Sequence, residues 1–263
     1  METKQILLEE MQAIQTWEKE QKDLWFWEKL GKIPFAILDK LTPSFLHNKV
    51  NSVLEELIHY INTGNKYLIN KDATLKKFGA LSSIEEIRHL PLNEMDQIAK
   101  GIIASRKKIA TAQGATTGIG GIFTLAIDIP AVLGMSLNVL QEMALCYGYN
   151  PEDEKERLFI VKCLQFSSSD LVGKQTILSE LQDFDNRSGK KDSISQIASW
   201  REVITVYRDN YGWKKLFQIV PIAGILFGAY LNRKTVEEIA ETGMMLYKKR
   251  RILERLESLE TDN

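Results

Sequence analysis

The sequence predicts an all-α fold: a single multi-helix domain organised around a central apolar, glycine-rich helical hairpin. Only 6 of the 263 residues are proline, which favours long helices over many strands joined by turns. Apolar residues recur at helical spacing along most of the chain, whereas no segment alternates as a half-buried strand does. Hydrophobic residues make up 44% and charged residues 26% of the chain, a composition typical of a globular protein with a buried core.

The first part of the chain is predicted to form an N-terminal helical arm, residues 1–90, that packs on a helical core, residues 91–263, within one domain. The arm begins with a helix over residues 4–30, in which apolar residues line one face while Glu and Lys fill the other. A second helix and several short pieces follow. Ser82 and Ser83 each have a glutamate three positions later, which is the pattern of a capping box at the start of a helix.

The core is predicted to begin with a long helix that opens at Pro91. Asp128-Ile-Pro130 predicts the start of the next helix, with Asp128 as its N-cap and Pro130 in its first turn. That helix is expected to end at Tyr147-Gly148, because glycine commonly follows the last turn of a helix. Further helices are expected over about residues 150–184, 193–209, 221–231 and 233–258.

Charged side chains are almost absent from two windows of this core. Residues 109–141 contain a single one, Asp128, and residues 216–232 contain none. In the first window Gly114 and Gly118 are four residues apart and therefore share a helix face, which lets another helix approach closely. We expect the helix of the second window to pack against that face.

Two interpretations of the first window stay open. One helix over residues 109–141 would be about 50 Å long, whereas the apolar core of a bilayer is about 30 Å thick, so the break at Asp128 divides the window into two antiparallel arms. The hairpin is either the buried core of the protein, which its polar side chains favour, or an element that inserts into a membrane. Asp128 is either a helix cap or a functional carboxylate whose pKa is raised by apolar surroundings.

Two basic segments are candidates for contact with a membrane surface. One combines tryptophan with lysine, as side chains at a lipid headgroup layer do. The other holds four consecutive cations, which attract anionic lipid unless nearby glutamates neutralise them. A solvated C-terminal turn is the simpler expectation for these four. The residues concerned are Trp25, Trp27, Lys29 and Lys32 in the first segment, and Lys248, Lys249, Arg250 and Arg251 in the second.

The sequence shows no motif of an enzyme, a metal site or a nucleic-acid binder. The glycine run lacks the Lys-Ser/Thr end of a phosphate loop, and the histidines are too far apart for a zinc site. Cys146 and Cys163 are expected to be buried small hydrophobic residues. We therefore expect no cofactor and no metal, and the formal net charge of −1 argues against nucleic acid as a partner. No secretory signal is evident, so the expected location is the cytoplasm.

Several ordered motifs of the core resemble the EcsC protein family, which is bacterial. They are Gly114-Ala-Thr-Thr-Gly-Ile-Gly-Gly121, Asp128-Ile-Pro130, Tyr147-Gly-Tyr149 and Glu156-Arg157, and the later Pro221, Gly224, Gly228 and Asn232 are also similar. The resemblance covers about residues 90–250 and implies no established reaction and no agreed catalytic residues. As candidate functional or structural positions it marks Gly114, Thr117, Gly118, Gly120, Gly121, Asp128, Pro130, Tyr147, Gly148, Arg157 and Asn232.

The function predicted from these features is that of a non-enzymatic, membrane-associated accessory protein. The family is named after a protein encoded beside an ABC-type transporter, so the resemblance implies a transporter or another protein as partner, at the inner face of the cell membrane. An anionic lipid surface is the second expected partner. Two alternatives stay open: a soluble enzyme with a site near Asp128 and the glycine turn at residues 114–121, and a helical protein-interaction module.

Overall fold

A computed structural model of the chain describes residues 2–23, 55–64, 67–79, 81, 83–117, 129–168, 171–182, 184 and 233–261. These residues form helices joined by turns, and no strand occurs among them. The predicted all-α fold is confirmed. The glycine-rich turn of the predicted hairpin and the predicted helices of residues 193–231 lie outside the described residues.

The helices are labelled here in chain order. Residues 4–23 begin the predicted first helix as expected, and the segment predicted as one helix to about residue 184 contains two helices. The bounds are α1 (Lys4–Asp23), α2 (residues 55–63), α3 (Lys71–Leu75) followed by a 3-10 turn (Lys76–Phe78), α4 (Ile84–Arg88), α5 (Leu92–Thr117), α6 (Ile129–Cys146), α7 (Glu154–Ser168), α8 (Leu171–Gln182) and α9 (Arg233–Thr261).

Local capping signals begin several of these helices. The Ser83 side chain, one of the two serines with the capping-box pattern, accepts a hydrogen bond from the Glu86 N–H at 3.2 Å and so caps α4. Asn70 caps α3 in the same way. Asn150 accepts from the Glu152 N–H at 3.3 Å, but the helix that was expected from about residue 150 begins later, at Glu154, after a turn.

The helix α9 is the centre of the described fold. It packs against α1, α5, α6 and α7, and residues along its length such as Ala240, Tyr247 and Ile252 are fully enclosed. Gly243 lets α6 come close, because a Cβ added there would lie 2.8 Å from Leu140 Cδ2. A helix surrounded in this way has to find a partner inside the protein for each polar side chain it carries there.

The helix α6 is part of the same core. Leu133, Leu137, Leu140 and Met143 are all at most 1% exposed. This part of the charge-poor window therefore has the buried-core role, and its apolar side chains face protein. Among the described helices none is long and apolar enough to cross a membrane.

The direction of α5 relative to α9 follows from three contacts along their length. Lys107 Nζ lies 2.5 Å from Glu237 Oε1, and Asp96 Oδ2 lies 2.7 Å from Lys248 Nζ. Farther along, Arg255 donates to the Leu90 carbonyl at 2.7 Å. In these contacts the residue numbers decrease along α5 while they increase along α9, so the two helices are antiparallel.

The directions of α6 and α1 follow in the same manner. Leu140 lies beside Gly243, and Arg251 donates to the Tyr147 carbonyl at 2.7 Å, so α6 runs parallel to α9. By contrast α1 is antiparallel to α9. Two ion pairs show this: Lys4 Nζ lies 3.1 Å from Glu260 Oε1, and Glu10 Oε2 lies 2.6 Å from Lys248 Nζ. Near the other end of α1, Gln21 binds Lys174, and the Lys174 ammonium interacts electrostatically with Glu238 of α9.

These directions give the bundle two distinct ends. Asp23, Thr117, Ile129 and Arg233 terminate their helices at the same end, which we call the connector end because chain segments outside the described residues leave from it. The opposite end holds the start of α5, the Tyr147-Gly148 turn and the last third of α9. We call it the cleft end, after the cavity described below.

Gly148 is a position where the fold requires glycine. Its φ is +75°, and a Cβ added there would lie 2.8 Å from Arg88 Cα, a backbone atom that cannot move aside alone. The prediction that a helix stops at this residue is confirmed by the end of α6 at Cys146. Because Gly148 has no side chain, it can both end the helix and pack directly against the backbone of α4.

Replacing Gly148 by alanine is expected to lower the free energy of unfolding by roughly 3 kcal/mol, since backbone strain adds to the clash with Arg88. Gly79→Ala is a control that measures the backbone strain without a clash, because the φ of Gly79 is +80° but nothing lies within 4 Å of its Cβ position. That control should cost about 1 kcal/mol. Urea unfolding, monitored by circular dichroism, measures the free energy of unfolding of each variant.

A second control, Gly101→Ala, sits within α5 with nothing near its Cβ position. It should stabilise the protein by about 1 kcal/mol, because alanine has the higher helix propensity. A Gly148→Ala variant no less stable than Gly79→Ala would contradict the assigned contact.

Candidate functional site

The most unusual cluster in the described structure is the run Lys248–Arg251 at the centre of α9, which we call the basic hub. Successive residues of a helix point about 100° apart, so four in a row face all sides of it. Each cation therefore meets a different neighbour. The bonds are Lys248 to Asp96 (2.7 Å) and Glu10 (2.6 Å), Lys249 to Glu18 (2.6 Å), Arg250 to Glu156 (2.8 Å), and Arg251 to the Tyr147 carbonyl (2.7 Å).

The expectation of a solvated C-terminal turn at these four residues is wrong. Lys248, Arg250 and Arg251 are buried, and α9 continues to Thr261. The expected neutralisation along the same helix does occur, since Arg251 Nη1 lies 2.5 Å from Glu254 Oε2. Contact of the hub with lipid stays an untested prediction, but in this structure its charges are turned inward and paired with other helices.

Arg250 forms the ion pair of the hub in which both side chains are most buried. Its side chain and that of Glu156 are 9% and 7% exposed. The guanidinium carbon also lies over three aromatic rings, at 4.3 Å from the centroid of Tyr149, 4.9 Å from that of Phe159 and 5.5 Å from that of Phe184. Such stacking suits the weakly hydrated guanidinium and leaves its edge for the carboxylate.

Tyr147 and Gly148, both marked as candidate positions, form a junction between three helices. Their carbonyls accept hydrogen bonds from Arg251. The Tyr147 hydroxyl donates to Asp96 Oδ1 at 2.6 Å, and the other oxygen of Asp96 pairs with Lys248. Burial and the nearby Asp96 raise the pKa of Tyr147, so it stays a protonated donor. These contacts give the motif a structural role.

Arg157, another candidate position, also has a structural role. Its guanidinium donates to the carbonyls of Ile61 at 2.7 Å and Asn62 at 3.1 Å, and to that of Glu152. These carbonyls lie at the end of α2 and in the turn before α7. An arginine side chain with its donors directed at main-chain acceptors fixes two segments in place and is not free for a ligand.

Sequence reasoning missed a buried carboxylate in the core. The Glu142 side chain is only 2% exposed and bridges Lys77 Nζ at 2.6 Å and Arg106 Nε at 2.7 Å. Next to it, the buried Gln141 amide donates to the Tyr67 carbonyl at 2.8 Å and accepts from the Ile69 N–H at 3.2 Å. The only sequence signal was that Glu142 closes an otherwise charge-poor window inside an apolar helix.

The thiols offer no nucleophile. Cys146 and Cys163 are fully buried, as predicted. Burial raises the pKa of both, so neither forms a thiolate in ordinary conditions. Within the described ranges no group of three or more His, Cys, Asp or Glu side chains is placed to hold a metal ion.

A cleft of about 570 Å³ opens at the cleft end of the bundle. Three arginines and three glutamates line it, together with other polar side chains and a few apolar ones. The charged residues are Arg88, Arg251, Arg255, Glu2, Glu254 and Glu257, and the other polar ones are His89, Ser258 and Thr261. Its volume falls in the range of small-molecule sites. Nothing in the sequence pointed to it, because the residues that meet there are separated by most of the chain.

The remaining candidate positions are placed only in part. Gly114 and Thr117 belong to the last turns of α5, and Pro130 is the second residue of α6, as predicted for a first-turn proline. The other candidates lie outside the described residues, so their assigned roles, including the enzyme alternative at Asp128, stay predictions. They are Gly118, Gly120, Gly121, Asp128, Asn232, Trp25, Trp27, Lys29 and Lys32.

Comparison with known proteins agrees with the motifs of the core. The sequence model of the EcsC protein family matches residues 8–252. A protein of Bacillus subtilis (strain 168) named "Uncharacterized protein YdbA" is 52% identical over 267 residues, covering 99% of this chain and 98% of its own length. "Protein EcsC" of the same organism is 30% identical over 220 residues, covering 82% of this chain and 89% of its own. Comparison with solved structures gives no match.

Replacing Glu156 by glutamine should strongly destabilise the protein, because it removes the nearer carboxylate of the buried Arg250, whose contact with Glu254 Oε1 is longer, at 3.9 Å. The expected loss is roughly 3–5 kcal/mol of unfolding free energy. Lys4→Gln is the matched control, since it breaks an ion pair whose side chains are mostly exposed. That loss should be below about 1 kcal/mol.

The double variant Glu156→Leu/Arg250→Met separates pairing from packing. Removing both charges should restore much of the stability lost by Glu156→Gln, because the desolvation cost of the guanidinium disappears with it. Chemical denaturation of the three variants provides the measurement. Equal stabilities of Glu156→Gln and Lys4→Gln would show that the buried pair has no special importance.

Proposed function

The chain belongs to the EcsC protein family, and we propose that it is a non-enzymatic accessory protein that docks on a membrane through its connector end. The observation that supports this most is the helix order of the bundle. Contacts of α9 with α1, α5 and α6 bring Asp23, Thr117, Ile129 and Arg233 to one end.

The segments that join these helix ends have the composition expected of a lipid-facing surface. Residues 118–127 and 216–232 carry no charged side chain, and they connect to the bundle at Thr117 and Arg233. The segment after Asp23 begins with Leu24-Trp-Phe-Trp27, followed by Lys29 and Lys32. Tryptophan favours the interface and lysine the anionic headgroups.

The proposed contact is peripheral for the part of the chain that the structure describes. The part of the charge-poor window that lies in α6 is enclosed by protein at Leu137 and Leu140. The apolar residues proposed to contact lipid are therefore those of the sequence segments 118–127 and 216–232, next to the helix ends. We place the contact at the inner face of the cell membrane, and a transporter there is the protein partner that the family resemblance suggests.

Flotation with lipid vesicles tests the proposal. The full-length protein should float with phosphatidylcholine vesicles at low salt, and more so when phosphatidylglycerol is included. Lys29→Gln/Lys32→Gln should weaken binding to the mixed vesicles by roughly 30-fold, because each lysine contributes about 1 kcal/mol at an anionic surface. Binding to pure phosphatidylcholine should be unchanged by this variant.

Lys4→Gln/Lys100→Gln is the matched control, with the same loss of charge on exposed lysines away from the connector end. It should leave binding to mixed vesicles within about twofold of the wild type, since charges beyond about a Debye length of the lipid are screened. An equal loss in both double variants would show that the wrong end had been chosen. A protein that stays at the bottom of the gradient on all vesicles would refute membrane docking.

A further inference from the structure

The cleft at the end opposite the proposed membrane contact contains a carboxylate held as a ligand would be. Glu2 Oε1 accepts a hydrogen bond from the Leu92 N–H at 2.5 Å, and Glu2 Oε2 lies 2.6 Å from Arg255 Nη1. Burial raises the pKa of Glu2, but these bonds outweigh it and hold that pKa below its usual value. The side chain is therefore an anion in a two-point clamp.

The clamp does not depend on Glu2 for its shape. Arg255 also donates to the carbonyls of Arg88 at 3.1 Å and Leu90 at 2.7 Å, which fix its guanidinium against the turn before α5. Glu2 precedes α1, whose position is set by buried residues such as Leu7 and Met11. Its side chain can therefore swing out while α1 and Arg255 stay where they are.

The walls around the clamp favour an anion once Glu2 has left. Three arginines would then face two glutamates, since Glu254 and Glu257 would be the carboxylates that remain. The Arg88 side chain is 45% exposed, and its contact with Glu254 is a long one of 3.7 Å. Leu7, Pro91 and Leu259 supply apolar wall in the same cleft.

We propose that this cleft is a binding site for a small amphiphilic carboxylate, with Glu2 as an internal occupant that the ligand displaces. The carboxylate of the ligand takes the Leu92 N–H and the Arg255 guanidinium, and Arg88 turns toward it. The apolar part lies against Leu7, Pro91 and Leu259. The cleft volume of about 570 Å³ accommodates a medium-length acyl chain.

Octanoate is the probe, added to the full-length protein in lipid-free buffer, with calorimetry for affinity and amide chemical shifts for location. Glu2→Ala should bind octanoate about tenfold more tightly than the wild type, because the competing charge-assisted hydrogen bonds are gone. Glu9→Ala, an exposed glutamate on the same arm, is the control and should bind as the wild type does. Adding Arg88→Ala to Glu2→Ala should remove most of the gain.

The changes in amide chemical shift on adding octanoate should be largest at residues 88–92 and 251–259. Octylamine and acetate should bind at least about tenfold more weakly than octanoate. Equal octanoate affinity in Glu2→Ala and the wild type would overturn the proposal. So would shift changes located elsewhere, or octylamine binding as well as octanoate. The vesicle test of the connector end is independent of these outcomes, since no lipid is present.

Discussion

The described structure depends on one constraint: α9 is enclosed by other helices, and it carries four consecutive cations at its middle. A buried cation without a partner costs several kcal/mol, so each helix around α9 has to supply an acceptor at the right height. Asp96 from α5, Glu10 and Glu18 from α1, and Glu156 from α7 do so. The Tyr147 carbonyl, which directly follows α6, accepts from Arg251. The same pairs fix the axial position of each helix relative to α9, which a purely apolar interface would define less well.

The helix directions that follow from this pairing divide the molecule by chemistry. One end collects the arginines and glutamates of the cleft. At the other end, Thr117 and Arg233 adjoin sequence segments that lack charge, and Asp23 is followed in the sequence by the Trp25–Trp27 stretch. The two proposals therefore assign a different function to each end: lipid contact to the connector end and binding of a water-borne ligand to the cleft end.

Local features of the fold were predictable, and distant ones were not. Ser83 as a cap, Gly148 as a stop and the burial of Cys146 depend on a few neighbouring residues or on residue type, so the sequence pattern was sufficient. Lys248 and Arg250 were misjudged, because their partners are 94 to 238 residues away in the chain. Within α9 itself, the glutamates that follow these cations, such as Glu254, were the partners that the sequence suggested.

The cleft illustrates the same limit for function. Glu2 and Arg255 are 253 residues apart, and neither belongs to a recognisable motif. Family membership was predictable from the ordered glycine, Asp-x-Pro and Tyr-Gly motifs, and the comparisons confirm it. Of the marked motif positions that the structure describes in side-chain detail, Tyr147 and Arg157 hold segments together. At these two described positions, the family motif has an architectural role.

The position of α9 in the chain has a consequence for how the protein folds. The central helix is the last of the described helices, and its bond from Lys248 to Glu10 closes a loop of 238 residues. Contacts so distant in sequence slow the search for the native state. While the polypeptide is being synthesised, α1, α5, α6 and α7 exist before the helix that unites them, so their apolar faces are exposed to the aggregation that chaperones suppress.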